Sequence, residues 1–525
     1  MSVKLKKCVS PCKGIVLNKC KLPFCNYVNK TRKYCTLNRK GYQLKQDERG
    51  CNIYPIKQKA TTINRQKTKT NITAVLINKL KQAKERVFTR KVQALRKKHA
   101  EKRIKTFMLN PVVREKSTAM FLNSICSDSG VCIAFGQEAS KIKKFFNNFT
   151  DFTYLHGPIK RIGVVSVNGF IYELAYKRQN YNAYAILKST AAGDRDNLMY
   201  EYFVGTAVNV FSKHFPCFVE TYGLFEYASY ADWAALKDAR PNKEHVLKNN
   251  LSLKPAPTFD NLNDGCIKSI LQCILIQHLK QTDHLDKWVS IKRGVFINND
   301  LIPILYILYF SLVSLATQFT HYDLHAQNVL LYVPDEDKYI EYVFHERQAG
   351  KVPRLVKFKS SFIPKIIDYG HSFYSLNAQD NSDKIYEKLC TINECKPRCG
   401  KNYGFGLMNS GDYHIKSRQN NVSHDLRLLA YLRNYIRNPL YKANKPIKDL
   451  FNSVVCTGEF GTPEIIASGL PAKINNISDA LSSLSDMVMG TEPNLSNTLY
   501  SGSKYTSYGE LHVYSDGRPM KFIKK

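Results

Sequence analysis

The 525-residue sequence predicts an α+β protein with a basic, cysteine-containing N-terminal extension, and three observations lead there. Runs rich in β-formers at 162–167, 169–176 and 183–188 are separated by turn formers, Asn168-Gly169 and the segment 178–182. An apolar run from Leu301 to Ala316 has the length and composition of a buried helix. Charge is spread unevenly: residues 1–107 hold 30 Lys and Arg against 4 Asp and Glu, which is +26 of the total +35. That asymmetry points to a polyanion, either a nucleic acid or an anionic surface, as the partner of residues 1–107.

The length accommodates two or three domains, and 44% hydrophobic residues suffice for a sizeable core. No charged start followed by an apolar stretch and a cleavage site opens the chain, so no secretory signal is expected. The fifteen cysteines then read as reduced thiols or metal ligands rather than as a disulfide scaffold.

Residues 1–55 form a basic module with cysteines at 8, 12, 20, 25, 35 and 51. Four of the six would suffice for a structural zinc site; the plain alternative is a basic segment with unligated thiols. Residues 56–124 comprise a polar, basic linker and an amphipathic helix, since Ile72, Leu76, Leu80, Ala83, Val87 and Leu95 recur at helical spacing among lysines and arginines up to Phe107. Its basic face either lies on the polyanion or is a solvated face of a helix packed on the body.

Residues 125–240 read as short strands and one helix, the strands ending at Ala185-Ile186-Leu187-Lys188 and the helix running from about Asp194 to Phe211 with Glu201 on it. Prolines 241, 255 and 257 among Asn, Asp and Lys mark 226–268 as an insertion. The segment from Cys273 to Leu279 is a short buried-type strand. Leu301–Ala316 falls short of the roughly 20 residues that a membrane span needs and holds Pro303, so a core helix is expected and no transmembrane segment. Cys390, Cys395 and Cys399 form an incomplete metal set, and a helical period resumes at Ser423-His424-Asp425-Leu426-Arg427. Ser- and Asn-rich 471–504 reads as a linker or tail, and Glu510 to Ile523 as a hairpin about Ser515-Asp516-Gly517.

The chemistry concentrates in His321-Tyr322-Asp323-Leu324-His325-Ala326-Gln327-Asn328, between the apolar helix and the run Val329-Leu330-Leu331. A carboxylate and an amide five positions apart suit phosphoryl transfer, the Asp accepting the proton of an attacking hydroxyl and the Asn oxygen holding magnesium. Asp368, after Ile366-Ile367, supplies a second carboxylate where a second magnesium ligand would sit. Taken with Ile366-Ile367-Asp368-Tyr369-Gly370 downstream and Ala185-Ile186-Leu187-Lys188 upstream, this motif resembles the protein-kinase-like superfamily, most of all the serine/threonine kinases of large cytoplasmic DNA viruses of the iridovirus type.

The resemblance covers roughly 125–470. It implies a two-lobed fold, with a small lobe at 125–282 that includes the insertion, a large lobe at 283–470, and 471–525 as a tail. It also implies ATP and magnesium, with Asp323 as base and Asn328 and Asp368 on the metal. Lys188, held by Glu201, would neutralise the α- and β-phosphates. Gly163 and Gly169 would cover the phosphates, and Gln277, His278 and Leu279 would form the edge strand and hinge that hold adenine through the backbone. Asp425 would brace the loop, with His321 in an architectural role.

Three departures stand beside this. The middle glycine of G-x-G-x-x-G is missing between Gly163 and Gly169, His325 replaces the usual lysine or arginine, and no A-P-E follows Gly370. Three functions therefore stay open: a kinase acting on protein Ser/Thr hydroxyls, a small-molecule kinase of the aminoglycoside or choline type, and a weakly active, virion-associated pseudokinase that binds nucleic acid. The resemblance implies a virion or host-cytoplasm setting.

Overall fold

The computed structural model describes four strands between Cys25 and Pro55 and, from Pro111 to Lys524, all but short segments, the longest being 254–268, 406–417 and 456–473. The chain divides into two units, Met1–Arg103 and Ile104–Lys525. In the first, β1 (Cys25–Val28) and β2 (Tyr34–Leu37) form one antiparallel hairpin, and β3 (Tyr42–Asp47) and β4 (Gly50–Pro55) another. Cys25, Cys35 and Cys51 stand in these strands. Cys8, Cys12, Cys20 and the helix expected over 72–107 lie outside the described residues.

The second unit is α+β. It opens with α1 (Pro111–Ile125), at the end of the stretch read as linker and amphipathic helix, and with α2 (Ser129–Ala134) and α3 (Ala139–Phe145), which the reading of 125–240 as short strands and one later helix did not include. Phe145, Phe146, Phe149 and Phe152 are buried here, their spacing being that of helical turns rather than of an alternating strand. A disulfide joins Cys126 to Cys132, while Cys217 and Cys273 are buried free thiols.

Six antiparallel strands follow: β5 (Lys160–Ser166), β6 (Gly169–Arg178), β7 (Tyr181–Ser189), β8 (Thr221–Tyr227), β9 (Leu251–Leu253) and β10 (Gln272–Gln277), in the spatial order β5-β6-β7-β10-β8-β9. Phe170, Tyr172, Leu174 and Tyr176 of β6 are buried at every second position, the period of a strand with one face on the core. Gly169, at φ 153°, begins that strand, and a Cβ there would fall 2.3 Å from the Ser189 carbonyl oxygen. Only glycine permits this approach.

Helix α4 (Leu198–Phe211) packs on the sheet. One expectation is corrected here. β10 lies inside the sheet, between β7 and β8, rather than at its edge. Within the segment read as an insertion, 226–268, the described residues form α5 (Tyr230–Lys237), α6 (Lys243–Asn250) and β9, with Ser229 capping α5 and Trp233, Leu236, Val246 and Leu247 buried. Its polar composition belongs to caps and an outer face, which conceal a narrow apolar stripe.

Further along, β11 (Thr282–His284) leads into α7 (Leu285–Asn299) and α8 (Leu301–Ser314). The side chains from Leu301 to Leu312 are all buried, and no single described helix is long and apolar enough to cross a membrane. β12 (Phe319–Thr320), β13 (Val329–Tyr332), β14 (Lys338–Glu346), β15 (Arg354–Ser360), β16 (Ile363–Ile366) and β17 (Phe373–Tyr374) follow. After them come α9 (Ser382–Leu389), the short pair β18 (Cys399–Gly400) and β19 (Gly404–Phe405), α10 (Arg427–Arg437) and α11 (Lys445–Asn452).

The last stretch corrects a second expectation. Within Ser/Asn-rich 471–504, α12 (Ile477–Met489) is capped by Asn476, whose Oδ1 accepts from Asp479 N at 2.9 Å. It packs Ile477, Ala480, Leu481, Leu484 and Val488 toward α8. The terminal hairpin forms from β20 (Thr506–Tyr514) and β21 (Lys521–Lys524), and β20 also pairs in parallel with β14, giving the sheet β15-β14-β20-β21. The C-terminus is therefore structural. Leu511 is fully buried in that sheet, and Leu511→Ala is expected to cost about 2–5 kcal/mol in denaturant unfolding. An unchanged midpoint would show the strand to be dispensable.

Candidate active site

β13 and β16 pair antiparallel, with Val329 opposite Ile366. The residue before β13, Asn328, and the residues just after β16, Ile367 and Asp368, therefore meet at one end of the pair, where Ile367 N donates to the Asn328 carbonyl at 3.0 Å. Asn328 Nδ2 donates to the Asp323 carbonyl at 2.9 Å and more distantly to Asp323 Oδ2 at 3.3 Å. That assignment leaves Asn328 Oδ1 as an acceptor.

The loop from His321 to Asn328 is held from below by Asp425. One carboxylate oxygen accepts from His321 N at 2.9 Å, the other from Tyr322 N at 3.0 Å. Tyr322 sits at φ 64°, a conformation costly for a bulky residue, and its hydroxyl is tied to the Gln419 carbonyl at 2.7 Å. His321 Nε2 donates to the Ile367 carbonyl at 2.9 Å, and burial depresses its pKa to about 4, so the ring is a neutral strut. Burial also lowers the pKa of His325, whose Nδ1 accepts from Gln327 N.

Across from the loop, Lys188 projects from β7, Glu201 from the first turn of α4, and Asp368 from the turn after β16. Lys188 Nζ donates to Glu201 Oε2 at 2.7 Å and to Asp368 Oδ1 at 2.9 Å. Burial works against the charge on Lys188, but the carboxylates of Asp368 and Glu201 outweigh it and raise its pKa. Lys188 holds Asp368 down to about 2. Glu201 is pushed up to about 7, chiefly by burial, against the pull of the ammonium. One cation is shared by two acids, and the more exposed acid keeps its charge. Asp368 also has φ 68° and ψ 68°, a left-handed conformation that aims its carboxylate at the lysine.

Gly163, at φ 69° with open space beside it, lies where β5 shifts register against β6; residues 167–168 at the tip are outside the described residues. At the end of β10, Gln277 exchanges bonds with the Glu220 backbone, and His278 Nε2 donates to Glu173 Oε2 at 2.8 Å. Leu279 is buried. The side chains of Gln277 and His278 are thus committed to the protein.

One contact has no counterpart in the sequence reading. Arg427, at the start of α10, places Nη1 2.5 Å from Asp323 Oδ1, while His325 Nε2 is 3.8 Å from the same oxygen. Its only sequence signal is position: it stands two residues past Asp425, which carries the loop.

Asn328 Oδ1 and the Asp368 oxygen not bonded to Lys188 are hard oxygen donors, the kind that holds magnesium together with phosphate and water. Among the described residues no group of three or more His, Cys, Asp or Glu could hold a metal ion. Cys390 and Cys395 lie outside those residues, and Cys399 begins β18. No protein-family model matches the chain, and no curated protein matches it in sequence.

Lys365, in β16, is buried with Nζ 3.4 Å from the Phe218 carbonyl oxygen, and burial lowers its pKa to about 8. Because the folded chain releases this proton more readily than the unfolded one, the lysine is destabilising at neutral pH and becomes less so between pH 8 and 10.5. Lys365→Met is therefore expected to raise unfolding free energy at pH 7 by roughly 1–3 kcal/mol, the gain fading by pH 10.5. A gain independent of pH would contradict the assigned cause.

Proposed function

We propose that the chain is an ATP-dependent kinase of the protein-kinase-like superfamily, with the two-lobed fold of that superfamily, and that it moves the γ-phosphoryl group to protein Ser/Thr hydroxyls. The observation that carries this reading is the Lys188–Glu201–Asp368 cluster, which joins residues 180 positions apart in sequence, together with the pairing that sets Asn328 beside the Ile367-Asp368 turn. A structural ion pair would need neither a second carboxylate on one ammonium nor a strained aspartate beside an Asp and Asn loop.

In this reading Lys188 binds the α- and β-phosphates, and Glu201 keeps its ammonium in place. Asn328 Oδ1 and Asp368 would hold magnesium, which when bound supplies charge neutralisation on the phosphates. Asp323 orients the acceptor hydroxyl and takes its proton as the new oxygen–phosphorus bond forms. The bond from the γ-phosphorus to the bridging oxygen breaks, and ADP leaves with that electron pair. Oδ1 of Asp323 is held by Arg427, so Oδ2, with its longer bond from Asn328, is the oxygen that accepts the proton.

Asp323→Asn is expected to lower magnesium-dependent phosphate transfer by about 10²–10⁴-fold while ATP binding stays within a few-fold. Assays against a generic basic protein and a panel of small alcohols separate the protein acceptor from the aminoglycoside- or choline-like alternative. No transfer to any acceptor, or full activity in the variant, would overturn the assignment.

A second, compatible reading concerns residues 1–107, whose net +26 suits a nucleic acid partner. Binding of the full chain to duplex DNA is expected to weaken steeply and log-linearly with salt. A flat salt dependence would count against it.

A further inference from the structure

We propose that Arg427 is a positioning residue for phosphoryl transfer: from the start of α10 it brings to Asp323 the fixed positive charge that the loop itself lacks at His325. The inference rests on the kinase reading above and goes beyond it by naming what sets the geometry of the base.

Four observations support it. Arg427 Nη1 lies 2.5 Å from Asp323 Oδ1, with both side chains about one-fifth exposed, at 20% and 19%. The loop's own basic side chain, His325, stands farther off at 3.8 Å, and burial favours its neutral form. Asp425, two residues before Arg427, accepts from both His321 N and Tyr322 N, so the segment that fixes the loop backbone also fixes the base. Finally, Tyr309 donates its hydroxyl to the Asp425 carbonyl at 2.8 Å, anchoring that segment to the buried helix α8.

The chemistry follows from the differences between these groups. A guanidinium keeps its charge at every pH the protein meets, and its planar donor set fixes the orientation of a carboxylate. With Oδ1 engaged, the Asp323 side chain cannot rotate freely, and Oδ2 faces the acceptor. An imidazole at position 325 would do neither reliably at neutral pH. An arginine serving only as a stabilising ion pair would affect unfolding; one that orients the base would affect the chemical step.

The test compares wild type, Asp323→Asn, Arg427→Gln, Arg427→Lys and the double variant Arg427→Gln with His325→Lys. The readouts are kcat, KM for ATP and thermal midpoint. Arg427→Gln is expected to lose about 100-fold in kcat with KM for ATP unchanged, the scale of a misplaced catalytic group. His325→Lys, by returning a cation to the same carboxylate, is expected to recover most of that loss. Arg427→Lys, which keeps charge but not the planar fork, should fall between wild type and Arg427→Gln.

An active wild type and an inactive Asp323→Asn, alongside Arg427→Gln at wild-type kcat, would overturn the inference and leave the kinase reading standing. So would a loss in Arg427→Gln that His325→Lys does not restore. If Arg427→Gln does not fold, Arg427→Lys decides: kcat lowered about tenfold at unchanged KM supports the role, and wild-type kcat rejects it. A wild type that transfers phosphate to no acceptor sinks the kinase reading and this inference together.

Discussion

A single ammonium group, Lys188 Nζ, sits between Glu201 and Asp368, and three separate elements meet to bring those charges together. Lys188 arrives on β7, Glu201 on α4 and Asp368 on the turn after β16. Two of these belong to the six-stranded sheet and its helix, the third to the separate sheet β11-β13-β16. Two carboxylates around one cation leave an excess negative charge; burial relieves it by favouring the protonated form of Glu201, while Lys188 keeps the more exposed Asp368 ionised. Such an arrangement costs desolvation that an apolar cluster would not. The magnesium ion of the proposed function would offset that excess negative charge.

The loop opposite is built by the same economy of groups. Asp425 spends both oxygens on two successive backbone N–H groups, and this offsets the left-handed conformation of Tyr322. His321, kept neutral, ties the loop to the Ile367 carbonyl next to Asp368. The carboxylates of Asp323 and Asp368 are thereby linked through a neutral ring and one peptide. Beneath them α8 is buried from Leu301 to Leu312, and its tyrosine hydroxyls find partners at Asp425 and Glu346. The site thus stands on a helix whose side chains are buried over twelve consecutive positions.

How much of this was legible in the sequence depends on the range of the interaction. The strands bearing Lys188 and Gly169, the buried helix from Leu301 and the terminal hairpin each announce themselves by local period or turn chemistry. The α+β class follows from them. Helices α6 and α12 were hidden because their outer faces and caps are rich in Asn, Ser and Lys, and such composition alone does not read as helix. The interior place of β10 and the parallel pairing of β20 with β14 depend on partners far away in the chain, which no local pattern encodes. At the site, Asp323, Asn328 and Asp368 stood out by spacing. Arg427 did not, because its meaning lies in a carboxylate about a hundred residues earlier.

The central claim is that Lys188, Glu201 and Asp368 form one nucleotide–metal cleft, and the most direct measurement is the linkage between ATP and magnesium at equilibrium. Titration of the full chain with ATP, with and without magnesium, should show tighter binding with the metal, and Asp368→Asn should erase most of that difference. ATP affinity indifferent to magnesium in the wild type, or an undiminished magnesium effect in Asp368→Asn, would contradict the account.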